Sequence, residues 1–185
     1  MFSNENKDNI IEMKGILLGD FAVGKTSLIN VSIGKKFDPS ERAAIAPNFS
    51  KKKIAVNGQE YCINFWDTWG LERLKTLSKI FFKGSQIVIF VYDITSKNSF
   101  IRLRKWVEDV ENIINNEYIC GIVGNKQDLY SEEEVNEEDA KEFANSKGMK
   151  FKLVSAKEDP KGFNDFLEEL LNDGIKYFER KKLLL

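Results

Sequence analysis

The sequence predicts an α/β fold, with a six-stranded, mainly parallel sheet, one antiparallel edge hairpin and about five helices. Three observations carry the prediction. Short apolar runs alternate with stretches of helical periodicity, the pattern of βαβ units. Asn57-Gly58 sits between two of those runs and favours a two-residue hairpin turn, so that pair should run antiparallel. The octapeptide Gly19-Asp20-Phe21-Ala22-Val23-Gly24-Lys25-Thr26 follows the apolar Gly15-Ile16-Leu17-Leu18, where a strand turns through a glycine-rich loop into a helix. At 185 residues the chain fits one domain with a sizeable core. It carries no internal repeat, linker or low-complexity stretch. A flexible N-terminal segment over 1–13, polar over residues 1–9, is expected to precede a folded domain over 14–180 and a short tail over 181–185.

The strands fall at 14–18, 51–56, 60–66, 86–92, 118–123 and 150–154, each short and rich in apolar residues. Helices fit 25–32, 71–79, 98–115, 137–146 and 162–178. The fourth helix has Asn136 as its N-cap, Glu137, Glu138 and Asp139 in its first turn, and Gly148 beyond its end. Glu132, Glu133 and Glu134 just before it therefore read as part of a solvated helix start, not a metal site. The last helix places Phe163, Phe166, Leu167, Leu170, Leu171 and Phe178 at roughly helical spacing. Gly174 inside it costs about 1 kcal/mol relative to alanine, which predicts fraying of that end.

Hydrophobic residues make up 42% of the chain and charged residues 31%, the balance of a soluble globular protein. With 28 basic and 29 acidic side chains the net charge is −1, which argues against nucleic acid as a partner and against charge-driven membrane attraction. There is no histidine, so Ser-His and Cys-His triads, His-based zinc sites and histidine proton shuttles are excluded. Cys62 and Cys120 lie inside apolar runs and read as small buried hydrophobes in a reducing compartment. Residues 1–9 lack the apolar core of a signal peptide, and no apolar run approaches a membrane span. The expected location is cytoplasmic, with any peripheral membrane contact made through partners.

The GxxxxGKT run is the spacing of a phosphate cradle. The first N–H groups of the following helix lack intrahelical partners and, with the helix dipole, favour an anion. Lys25 can reach the outer phosphates, and the Thr26 hydroxyl can ligate Mg²⁺. Asn125-Lys126-Gln127-Asp128 follows the apolar strand before it, and so sits at a strand's C-terminal end, where ligands bind. The Asp128 carboxylate can accept both the ring N–H and the exocyclic amine of guanine, a pair that adenine does not offer. Lys126 can lay its aliphatic stem over the base. Ser155-Ala156-Lys157, after the last strand, offers a backbone N–H to the guanine carbonyl.

In this order the residues resemble the Ras superfamily of small GTPases, most closely its Rab branch. Phe65-Trp66-Asp67-Thr68-Trp69-Gly70-Leu71-Glu72-Arg73 looks like the Rab WDTAGQER segment, and Val91-Tyr92-Asp93-Ile94-Thr95 with Ser99-Phe100 is similar to the Rab stretch after the fourth strand. The resemblance runs from Lys14 to about Phe178. It implies a P-loop NTPase of the small G-domain type, binding GTP or GDP with Mg²⁺. It further implies that Ala22, Val23, Gly24, Lys25 and Thr26 wrap the phosphates with Ser27 near the α-phosphate, and that Phe37 packs on the base. Thr26 and Asp67 would serve the metal, and the Gly70 N–H would meet the γ-phosphate. Phe49 and Trp66, with Trp69 and Leu74, would face protein effectors and an exchange factor; for Phe49 and Trp66 ordinary core packing is an equal alternative. The apolar set Trp69, Leu71, Leu74, Leu77, Ile80, Phe81 and Phe82 reads as part core, part partner surface.

Departures from the pattern cluster at one end of the site. Ungapped alignment from Gly24 to Phe49 puts Ala44 at the switch I threonine, which keeps the N–H and loses the metal-ligating hydroxyl; Pro47 further restricts the loop. Leu71 replaces the glutamine that orients the attacking water, so no catalytic residue is intact. Trp69 stands where the family has a small residue, and Phe21 lies beside the approach of a partner's arginine finger, an element worth about 10³ to 10⁵ in rate. Arg42 is a candidate finger in cis, set against the plain reading of a solvated loop arginine. The C-terminus, Arg180-Lys181-Lys182-Leu183-Leu184-Leu185, has no cysteine for prenylation, so no lipid anchor is expected. The expected function is a Rab-like guanine-nucleotide switch with slow or impaired GTP hydrolysis, in vesicle trafficking or related signalling. The alternative is a pseudo-GTPase scaffold that holds nucleotide and recruits partners without cycling.

Overall fold

The computed structural model describes residues 10–40, 48–67, 83–113 and 118–182. They form β1 (Ile11–Leu18), α1 (Lys25–Ser32), β2 (Asn48–Val56), β3 (Gln59–Asp67), β4 (Ile87–Asp93), α2 (Lys97–Ile113), β5 (Ile119–Asn125), α3 (Glu137–Ser146), β6 (Lys150–Leu153) and α4 (Pro160–Lys182). A 3₁₀ helix, Gln127–Glu132, joins β5 to α3. The six strands make one sheet in the order β2-β3-β1-β4-β5-β6. Only β2 and β3 pair antiparallel; the other pairs are parallel. The chain belongs to the predicted α/β class. The expected helix over 71–79 lies outside the described residues.

The hairpin turns at Asn57 and Gly58, whose φ values of 51° and 82° are the left-handed pair of a type I′ turn. Val56 then faces Gln59, and the register runs back to Asn48 opposite Asp67. β1 begins at Ile11, so three residues expected in the leading segment belong to the sheet. Tertiary contacts explain the extension: Glu12 accepts Lys51 Nζ and Asn64 Nδ2, both at 3.1 Å.

Strand alternation divides the core into two layers. Leu17, Ile63, Phe65, Ile89 and Val91 pack with Leu28 and Ile29 of α1 and Phe163, Phe166, Leu167 and Leu170 of α4. On the opposite face Ile16, Leu18, Val88, Phe90 and Ile122 pack with Leu103, Val107 and Val110 of α2 and Ala140 and Ala144 of α3. β4 is buried along its whole length, as a central strand covered on both faces requires.

α3 occupies the predicted residues because its boundary chemistry is local. Asn136 Oδ1 accepts the N–H groups of Glu138 at 2.9 Å and Asp139 at 3.3 Å. α4 departs from expectation: it begins at Pro160 and continues through Gly174 to Lys182. A side chain at 174 would collide with Ile119 of β5, so the glycine allows helix and sheet to approach. That packing supports the helix past the residue expected to fray it.

Candidate nucleotide-binding site

The site forms where β1 meets α1, at the carboxyl end of the sheet and beside the switch in strand order between β1 and β4. The loop that follows Leu18 is compressed against its neighbours. A side chain at Gly19 would strike the Val91 carbonyl of β4, and one at Gly24 would strike the Asn125 side chain. Ala22 at φ 61° and Gly24 at φ 96° turn the backbone back on itself. α1 then starts with no side-chain cap and no acidic residue in its first turn, so its end presents backbone N–H groups and positive dipole. Lys25 is buried at 5% exposure, and its Nζ donates to the carbonyls of Gly19 and Asp20, each at 2.8 Å. Val23 is buried, Ser27 half-buried and Ala22 exposed.

Beside the loop, Thr26 Oγ1 donates to Asp67 Oδ2 at 2.6 Å. Asp67, at the end of β3, is 3% exposed, and its second oxygen is buried with no hydrogen-bond partner. An orphaned buried carboxylate oxygen beside a threonine hydroxyl fits a hard cation. No cluster of three or more His, Cys, Asp or Glu exists among the described residues. This donor set suits Mg²⁺, which takes one or two protein oxygens and completes its shell with waters and phosphate oxygens.

The residues expected to meet the base are joined to the loop by one amide. Asn125, the last residue of β5 and 2% exposed, donates Nδ2 to the Val23 carbonyl at 2.9 Å and accepts the Ala156 N–H on Oδ1 at 3.2 Å. Ser155 Oγ donates to Asp128 Oδ1 at 2.6 Å and accepts the N–H of Glu158 at 2.9 Å. Lys157 Nζ lies 3.9 Å from Asp128 Oδ2 and 3.0 Å from Glu158, and the Glu158 hydrogen bond holds its ammonium pKa above the ordinary lysine value. Three motifs from three parts of the chain therefore converge.

Two ion pairs join the site to residues outside its motifs. Lys126, in a left-handed conformation at φ 68°, forms an ion pair with Asp93 of β4. Asp93 Oδ1 also accepts the N–H and hydroxyl of Thr95, at 2.9 and 2.7 Å. Asp93 ends β4 in register with Asn125 of β5, which brings its carboxylate to Lys126, the next residue along. The second contact joins Arg102 of α2 to Asp20 of the loop.

Phe37 is half-buried against the α1–α4 core layer. Phe49 and Trp66 are not core residues: they are 46% and 37% exposed, pair in register on β2 and β3, and meet edge to face at 5.6 Å. Lys51 sits over the Phe49 ring at 5.9 Å and Lys14 over the Trp66 ring at 5.7 Å. Phe21 is 49% exposed at the loop's outer edge. Arg42, Ala44, Trp69, Gly70, Leu71 and Leu74 lie outside the described residues. Among the described residues no helix is long and apolar enough to cross a membrane.

A glycine-rich loop entering a helix, a threonine–aspartate pair beside it and a strand-end asparagine latched to it define a P-loop nucleotide-binding α/β domain. The sequence model of the Ras family matches residues 14–175, and the chain belongs to this family. Its relatives carry Rab names. The chain is 37% identical over 163 residues to Ras-related protein Rab-21 of Bos taurus, spanning 88% of this chain and 71% of that protein. It is 35% identical over 156 residues to Ras-related protein Rab-21 of Geodia cydonium, spanning 84% and 68%. To Ras-related protein Rab-30 of Homo sapiens it is 34% identical over 160 residues, spanning 86% and 76%. It is a Rab-like small GTPase of the Ras family.

Proposed function

We propose that this chain is a guanine-nucleotide switch whose GTP hydrolysis is slow or impaired, acting in vesicle trafficking or related signalling. The observation that carries the reading is the Asn125 amide, which ties the phosphate loop at Val23 to the Ala156 N–H beside Asp128. In this reading residues 22–27 with Gly70 hold the phosphates, and Asp128, Lys126, Ala156 and Phe37 hold guanine. Thr26 and Asp67 would hold Mg²⁺, which would supply positive charge to offset that of the phosphates. Ala44 lacks the switch I hydroxyl, and Leu71 cannot orient water, so binding is kept while cleavage is weakened.

Competition of GTP, GDP and ATP for the nucleotide-free chain tests the binding half. Guanine nucleotides should win by a wide margin, and equal affinity for ATP would contradict it. A scaffold that never cycles is the second reading, favoured by the exposed Phe49–Trp66 pair, which offers a ready partner surface. It predicts indistinguishable tryptophan emission from the GDP and GTP forms, whereas a switch predicts different spectra.

A further inference from the structure

The phosphate loop carries a charge of the wrong sign for its proposed ligand. Asp20 follows Gly19 directly, and its own carbonyl accepts Lys25 Nζ at 2.8 Å. Only three covalent bonds separate that carbonyl carbon from the Asp20 carboxyl carbon. The carboxylate is therefore well within a Debye length, about 8–10 Å, of the ammonium that meets the phosphates. An uncompensated carboxylate here would oppose a polyphosphate, and the opposition would grow with every phosphate charge.

Arg102 meets that carboxylate. Its Nη1 lies 3.1 Å from Asp20 Oδ1 and 2.9 Å from Oδ2. The aspartate side chain is 23% exposed and the arginine 60%, so the acid is the covered partner. The arginine's backbone is well fixed. Leu103 beside it is fully buried, and one turn earlier Ser99 Oγ accepts the Asp93 N–H at 3.0 Å and donates to the Ser96 carbonyl at 2.7 Å. Arg102 meets the loop on its phosphate side, whereas Asp128 and Ala156 at the base end have their own contacts, to Ser155 and Asn125.

We propose that Arg102 sets the site's preference for phosphate charge: it neutralises Asp20 and so favours di- and triphosphates over monophosphates without acting on the base. This rests on the guanine-nucleotide reading of the site. The test is competition by GTP, GDP and GMP against a fluorescent GDP on the purified chain and three variants: Arg102→Ala, Arg102→Lys, and Arg102→Ala combined with Asp20→Asn. Arg102→Ala should weaken GTP about fivefold, GDP about threefold and GMP less than twofold, the scale of a well-formed surface pair. The loss should shrink at about 0.5 M salt. Arg102→Lys and the double variant should return the GTP-to-GMP ratio to that of the parent. Equal losses for all three nucleotides, or a double variant no better than Arg102→Ala, would overturn the proposal and leave the arginine a mere strut. A parent chain that competes with none of the three would overturn the guanine-nucleotide reading itself, and this inference with it.

Discussion

Asn125 serves two parts of the site with one amide, which makes it the most exposed to loss of the buried residues there. Asn125→Ala would leave the Val23 carbonyl and the Ala156 N–H without that partner, at a cost of about 1–3 kcal/mol for buried unsatisfied groups. Urea unfolding should show a lower midpoint by that amount, with weaker nucleotide binding. Asp128→Ala acts on the choice of base: it should erase the preference for GTP over ATP, and a preference that survives would remove Asp128 from base recognition. At the other end of the sheet, Cys120 lines a cavity of about 710 Å³ with Tyr118 and Met149. Burial, then the nearby Glu111 charge, pushes its thiol up to about 11 from 9.0. A raised folded-state pKa means stability present below pH 9 and lost as pH rises through about 11. Peptide mapping after iodoacetamide at pH 8 should therefore find Cys120 modified more slowly in the folded than in the unfolded chain.

At the scale of elements, Gly174 gives a prediction of opposite sign to helix propensity. Propensity alone makes Gly174→Ala stabilising by about 1 kcal/mol. The added methyl would collide with several side-chain atoms of Ile119, a residue only 4% exposed, and overpacking typically costs about 1–3 kcal/mol. The substitution should lower the melting temperature, and trimming the obstacle with Ile119→Val should recover part of the loss. A more stable Gly174→Ala chain would show that α4 stands off the sheet. The same residue explains what the sequence leaves illegible. α1, α3 and the Asn57-Gly58 turn are readable because caps, acidic first turns and positive φ are local chemistry. The early start of β1 and the length of α4 depend on partners far along the chain, Lys51 and Asn64 in one case and Ile119 in the other. The 3₁₀ helix Gln127–Glu132 shows no apolar period, so only the fold displays it.

For the molecule as a whole, the site's motifs and their common place at the strand ends are legible in the sequence, and the contacts that join them are not. NKQD, SAK and GxxxxGKT stand far apart in sequence, and it takes the parallel order of β1, β4, β5 and β6 to bring them together. The partners of Asp93 and Arg102, Lys126 and Asp20, lie far from them in sequence and become neighbours only through that order. A ligand that ties these elements should stabilise the whole domain. GDP with Mg²⁺ at a thousandfold its dissociation constant adds about 4 kcal/mol. Each kcal/mol raises the melting temperature of a domain this size by about 2–4 °C. If Thr26 and Asp67 hold the ion as proposed, chelating Mg²⁺ should reverse much of that gain and speed release. Leu71→Gln alone should raise hydrolysis little, since Ala44 still lacks the metal-ligating hydroxyl; full recovery from that one change would refute the argument from switch I. The proposed site binds guanine nucleotide and cuts it poorly. Single-turnover hydrolysis by the GTP-loaded chain with Mg²⁺ and no partner tests it most directly. The predicted outcome is tight retention of GTP with cleavage well below the roughly 10⁻⁴ to 10⁻³ s⁻¹ of unassisted small GTPases. Cleavage at that ordinary rate would contradict it.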